Sequence, residues 1–204
     1  MLKLWGRLNS INVQKVVLCL EELALPYERI EAGLTFGVVN TSQYRALNPN
    51  GLVPTIEDDG LVLWESNTIV RYLCAARGEA IYPSERGRRA DIEKWMDWQL
   101  SVLNPPVGML FWGLVRAPGS RRAEDVEQAR GKADAAMSII DAHLADREWI
   151  SGAAMGMADF VIAPYLHRWL HLPSARPTLP RLQAYYDRVM SRRCAKIVLT
   201  LPLT

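Results

Sequence analysis

Near the start of the chain, apolar residues come in short runs bounded by turns. Further on they recur at three- and four-residue steps. Residues 2–6 form the first run, closed by Arg7-Leu8-Asn9-Ser10, and predict a strand. From Asn12 the period changes: Val13, Val16, Val17, Leu20 and Leu23 share one helical face, and Pro26 ends the helix. Residues 27–30 alternate like a second strand. Residues 33–50 are rich in Gly and Asn and predict a loop with one helical turn near Gln43-Tyr44-Arg45. Residues 53–57 and 61–64 flank Asp58-Asp59-Gly60, a hairpin signal. Ser66 is a good N-cap for a helix whose face is Ile69, Val70, Leu73 and Cys74.

The order β-α-β-loop-β-β-α is mixed α/β. Pro83, Ser84 and Gly87 mark a linker, and beyond it the strand signal disappears. Helices are predicted over about 88–116, 121–145, 157–171 and 179–193, with Pro180 tolerated in the first turn of the last. Residues 158–166 are apolar nearly all round except for Asp159, which predicts a buried central helix. The chain therefore reads as an α/β domain over 1–78, a linker over 79–87 and an all-helical domain over 88–204.

Composition narrows the function without choosing it. Half the residues are hydrophobic and 23% are charged, so the chain is globular rather than disordered. The net charge is +2, with residues 1–81 at −2 and residues 82–204 at +4. That is too mild to attract nucleic acid or an anionic membrane. Three cysteines, Cys19, Cys74 and Cys194, show no CxxC spacing. A disulfide scaffold or cysteine zinc site is not expected, and a reducing cytoplasm is. No secretory signal and no transmembrane segment is predicted.

Three blocks carry the chemistry. Ser10-Ile11-Asn12-Val13-Gln14-Lys15-Val16 opens the first helix. Asn48-Pro49-Asn50-Gly51-Leu52-Val53-Pro54 precedes the hairpin. Trp64-Glu65-Ser66-Asn67-Thr68-Ile69 opens the next helix. Their order and spacing resemble the cytosolic glutathione transferases, and Gly156-Met157-Ala158-Asp159 is similar to that family's capping motif on its buried sixth helix. The resemblance spans essentially the whole chain. It implies a thioredoxin-like N-terminal domain, a helical bundle behind it, a homodimer, and glutathione as co-substrate with no metal.

Glutathione brings the reactive sulfur, but the nucleophile is its thiolate. A free thiol near pKa 8.5 is only about 3% ionised at pH 7. Lowering that value by ~2 units takes about 2.7 kcal/mol of preferential thiolate stabilisation. A hydroxyl donor and the free N–H groups of a helix N-terminus can supply that. The resemblance puts Ser10 in this role, as in plant-type and theta-type transferases, with Asn12 as a second contributor. The Ser-x-Asn spacing also resembles the Thr-x-Asn pair of the bacterial nu-class branch, where disulfide reduction is prominent, so glutathione-dependent reduction of a disulfide or a peroxide at the same site is the alternative activity. On the residues alone, Ser10 or Asn12 could simply cap the helix.

The resemblance assigns further positions. A cis Val53–Pro54 bond would present the Val53 backbone to the cysteinyl part of glutathione. Glu65 and Ser66 suit the γ-glutamyl ammonium and carboxylate. Asn40 and Asn50 are placed to reach either the glycyl end or the glutamyl backbone; relatives often carry Lys, His or Gln nearby, with Asn40 near a basic position and Leu52 where Gln is common. Gly156 replaces the usual Ser or Thr cap, and Asp159 can still bond back to the helix start. The second substrate, a small hydrophobic electrophile or a disulfide, is expected against Trp5, Leu8, Met109, Trp112 and Arg116.

Other constellations carry less. His167 and His171 are four apart, but Arg168 stands where a zinc-protease helix needs Glu. The pairs Arg88-Arg89, Arg121-Arg122 and Arg192-Arg193 read as solvated helix faces, and Cys19 and Cys74 as packing residues. A non-catalytic scaffold with this fold is the rival from another class.

Overall fold

A computed structural model describes all 204 residues. The first half holds β1 (Leu2–Trp5), α1 (Ile11–Glu22), β2 (Tyr27–Ile30), α2 (Ser42–Leu47), β3 (Thr55–Asp58), β4 (Leu61–Trp64) and α3 (Ser66–Ala75). The strands form one sheet in the order β2-β1-β3-β4. β1 runs parallel to β2, pairing Leu4 with Arg29, and antiparallel to β3, pairing Leu4 with Ile56. The β3–β4 hairpin aligns Thr55 with Trp64. β1 thus sits inside the sheet, and Leu4 is fully buried.

The second half is helical: α4 (Arg86–Trp98), α5 (Asn104–Phe111), α6 (Ala123–His143), α7 (Met157–His171), α8 (Pro180–Ser191) and α9 (Arg193–Val198). The continuous helix expected over 88–116 is broken twice by π-helical turns, Gln99–Leu103 and Trp112–Arg116. The first falls just before Pro105 and Pro106, which have no N–H to give the carbonyls one turn back. The helix expected over 179–193 stops at Ser191, because Arg192 is extended, and a separate α9 follows. Six residues are too few for periodicity to reveal it.

α1 is buried well beyond the five positions its pattern marks, since it packs against α3, α7 and α9 as well as carrying the sheet. Lys15, Leu18 and Cys19 are also fully enclosed. α7 is buried nearly all round, as its composition predicts. The close seating of α1 depends on Gly6. A Cβ there would stand 2.5 Å from Val13 Cγ2, so any side chain would push the helix start off the end of β1.

Ser66 is not the N-cap of α3. Glu65 occupies that position with φ 70°, and Ser66 is the first helical residue. A non-glycine residue in the left-handed region carries local strain, which tends to collect at functional positions.

Candidate active site

The three sequence blocks converge. Asn12, Asn48, Asn50, Leu52, Val53, Pro54, Glu65 and Ser66 line a small recess of about 50 Å³. It adjoins a larger cleft of about 680 Å³ between the sheet domain and the helices. Asn12, Leu52 and Val53 border both.

Ser10 stands at the start of α1 in extended geometry, is buried, and faces the larger cleft. Its carbonyl accepts the first helical bond, from Gln14 N at 2.9 Å, but its hydroxyl makes no capping bond. The simple capping role is therefore not what its side chain does. Asn12 borders that cleft and the recess, and its Oδ1 accepts from Ser66 Oγ at 3.4 Å.

Behind Ser66 lies Lys15, fully buried. Its Nζ donates to Gln99 Oε1 at 2.8 Å, Asn67 Oδ1 at 3.1 Å and Ser66 Oγ at 3.4 Å, and sits 5.0 Å from the Tyr165 ring centre. Burial lowers the Lys15 pKa to about 7, and the charge of Glu65 opposes that fall.

The Val53–Pro54 bond is cis. Val53 N–H and C=O make no backbone hydrogen bond, whereas the neighbouring Leu52 carbonyl is held by Tyr44 Oη (2.6 Å) and Asn48 Nδ2 (2.9 Å). A free edge of one residue, fixed on one side, suits pairing with a short peptide. Asn50 Nδ2 donates to Asn48 Oδ1 at 3.2 Å, and Asn40 Oδ1 accepts from Arg45 at 3.1 Å. Asn40 borders the larger cleft.

The far wall departs from expectation. Trp112 and Arg116 line it; Trp5, Leu8 and Met109 do not. Trp5 is held on the sheet, where its Nε1 donates to Glu57 at 2.6 Å and its ring meets Tyr44 edge-on. Leu8 and Met109 pack against the hydrophobic core instead. In their place stand Arg7, Asn104, Phe111, Tyr165 and Arg168, none of which the sequence reading placed here. A basic residue just after the apolar run 160–166 of a helix expected to be buried was the available signal for Arg168. For Asn104 and Phe111 the obstacle was the π-helical turn at Gln99–Leu103, which shifts the residues after it away from the phase of a regular helix; Arg7 and Tyr165 come from the loop after β1 and from α7, and only tertiary packing brings them here.

A second helix start is built differently. Asp159 is fully buried and accepts from Ile150 N (2.9 Å), Gly156 N (3.0 Å) and Ser151 N (3.2 Å). It closes the start of α7 onto the preceding loop. His167 bonds Tyr186 Oη at 2.7 Å, and His171 bonds the His167 carbonyl at 2.8 Å. No three His, Cys, Asp or Glu side chains are grouped to hold a metal. No helix is long and apolar enough to cross a membrane.

Residues 9–76 match the glutathione S-transferase N-terminal domain, and residues 123–188 match the C-terminal domain of the same family. The chain belongs to the glutathione S-transferase family. It is 42% identical to glutathione S-transferase GstB of Escherichia coli over 208 residues, covering all of both chains. It is 30% identical to glutathione S-transferase 3 of Zea mays, over 99% of this chain and 95% of that one. Among solved structures it is similar to a theta class glutathione S-transferase from Xanthomonas axonopodis pv. citri with glutathione bound. That match has TM-score 0.94 and 41% identity and covers 100% and 99% of the two chains. The fold, the enzyme class and the co-substrate implied by the sequence motifs are thereby borne out.

Proposed function

We propose that this transferase binds glutathione across the recess and the adjoining cleft, and that Ser10 makes its thiol anionic. The observation that carries the reading is the convergence of three distant blocks on one site where Ser10 keeps an uncommitted hydroxyl. Glu65 and Ser66, backed by Lys15, take the γ-glutamyl ammonium and carboxylate. Val53 pairs with the cysteinyl backbone, and Asn40, Asn50 and Leu52 flank the glycyl end. The sulfur then lies near Ser10 and the first N–H groups of α1, where both the hydroxyl and the helix dipole favour the thiolate. The thiolate attacks an electrophile held against the helical wall, and proximity turns a two-body encounter into an intramolecular one.

A division at residues 79–87, a homodimer and a cytoplasmic detoxifying role belong to the same proposal. Leu61, Trp64, Leu100 and Val102 are exposed apolar side chains that a partner copy would cover. Asn12 favours a second reading, disulfide reduction with glutathione, because it borders both parts of the site and is anchored to Ser66.

Rates with 1-chloro-2,4-dinitrobenzene and with hydroxyethyl disulfide, in Ser10→Ala and Asn12→Ala variants, test both. Transferase chemistry centred on Ser10 predicts a fall of about 10- to 100-fold for the aryl halide in Ser10→Ala. A larger loss of disulfide turnover in Asn12→Ala moves the assignment to the second reading. No retention on immobilised glutathione and no turnover of either substrate would leave the scaffold reading standing.

A further inference from the structure

Three arginines reach the second-substrate wall from separate parts of the chain: Arg7 after β1, Arg116 in the π-helical turn after α5, and Arg168 in the last turn of α7. None pairs with an acidic side chain. The ion pairs of the protein engage other residues, among them Arg29, Arg71, Arg130, Arg181 and Arg192. With 22 Asp and Glu against 24 Lys and Arg, acidic side chains are not scarce; none of them lines this wall. Arg116 donates to the Thr204 carbonyl and stays at the rim. Arg168 is only 9% exposed, and its Nε is buried without a hydrogen-bond partner, as is that of Arg7.

An unpaired buried charge is among the more destabilising features a fold can carry. The Arg168 guanidinium lies 3.9 Å from the Phe111 ring centre, which offsets part of that cost. The same stacking occupies the aromatic faces a neutral aryl substrate would use. Arg168 covers Phe111, and Arg116 lies 5.1 Å from Phe111 and 5.5 Å from Trp112. The arginines also repel one another. Burial, then the charges of Arg116 and Arg7, hold Arg168 down at about 10, and Arg7 is lowered by burial and by Arg116. A guanidinium is a permanent cation in proteins, so the wall carries a positive field facing Ser10.

We propose that this wall selects an electrophile bearing a carboxylate, such as a small 2-halo acid, with Arg168 and Arg7 gripping the carboxylate and Arg116 closing the rim. The inference rests on the transferase reading and specifies its second substrate. A guanidinium fork matches a carboxylate, and partnering by the substrate satisfies the two orphaned Nε groups. With the carboxylate held there, the adjacent carbon is turned toward the thiolate. Its sulfur forms a C–S bond as the carbon–halogen bond breaks. The halide leaves with the bonding pair, and the thiol proton has already gone to solvent.

Iodoacetate and iodoacetamide share a leaving group and differ in charge. kcat/KM for each, corrected for the uncatalysed reaction, gives a charge preference. The wild-type enzyme is expected to favour iodoacetate, and Arg168→Gln to cut the iodoacetate-to-iodoacetamide ratio by about 10- to 100-fold. Arg7→Gln, at a less buried position, is expected to lower the same ratio and covers the case in which Arg168→Gln does not fold. A ratio unchanged in folded variants overturns the inference. So does an unchanged ratio with a raised KM for glutathione, which assigns the arginines to the glycyl carboxylate instead. Turnover of 1-chloro-2,4-dinitrobenzene without any preference for iodoacetate sinks this inference and leaves the transferase reading intact. Failure with all three electrophiles sinks both.

Discussion

Helices α1 and α7 pack against each other, and their N-termini are finished in opposite ways. At α7 the buried Asp159 carboxylate gathers three N–H groups, so the helix start and the loop before it form one closed unit. At α1 the Ser10 hydroxyl makes no cap, and the first N–H groups face a cleft. Unpaired donors at a helix start are answered internally at α7, Gly156 N by Asp159 and Ala158 N by Ser151 Oγ, and left open to a ligand at α1. Chemistry belongs where the fold leaves donors unanswered; rigidity belongs where it answers them.

Removing the two side chains should therefore have opposite consequences. Asp159→Ala strands three N–H groups, two of them deep in the protein. We expect a loss of about 3–4 kcal/mol and a Tm fall on the order of 10 °C, read by thermal denaturation. Per folded molecule at low temperature, activity should be far less affected than stability. A Tm within 2–3 °C of wild type (roughly 1 kcal/mol) would break the comparison at its closed end.

Ser10→Ala is the mirror experiment. With no capping bond to lose, stability should change by less than about 0.5 kcal/mol. The thiol of bound glutathione should ionise at a pH about 1–2 units higher, followed by the ultraviolet absorbance of the thiolate. A large stability loss with no change in thiol ionisation would make Ser10 a structural cap after all.

The contrast also explains how much the sequence disclosed. The opening β-α-β order, the hairpin around Asp58-Asp59-Gly60 and the buried α7 were legible because each depends on local period or turn chemistry. Ser10, Val53-Pro54 and Glu65-Ser66 were legible because motif order survives in the linear chain. Trp5 was misplaced for a physical reason: neighbours in sequence can point to opposite faces of a strand, and its indole went to Glu57. Of the arginine wall only Arg116 was legible; Arg7 and Arg168 were not, because residues 7, 116 and 168 are distant in the chain and only tertiary packing brings them together. Lys15 was visible as part of a motif, but its burial came from α1 being enclosed on more sides than its own pattern implies.

Lys15 supplies the smallest and most selective prediction, at a point between the open and closed ends. Its folded pKa, about 7, lies below the ordinary lysine value of 10.5. From about pH 7 to pH 10.5 the unfolded chain therefore holds more protons at this site than the folded one. Its contribution to stability consequently rises with pH through that window and is at its least favourable below pH 7. A γ-glutamyl carboxylate beside Ser66 reverses the local balance, since a nearby anion favours the charged amine. Binding of S-methylglutathione, which has no thiol proton to release, should then take up about half a proton near pH 7.5. Calorimetry in two buffers of different ionisation enthalpy measures that uptake. In Lys15→Met it should vanish while Ser10 remains able to face the sulfur. If the uptake persists in Lys15→Met, the proton belongs to another group and Lys15 is only a packing cation under Ser66.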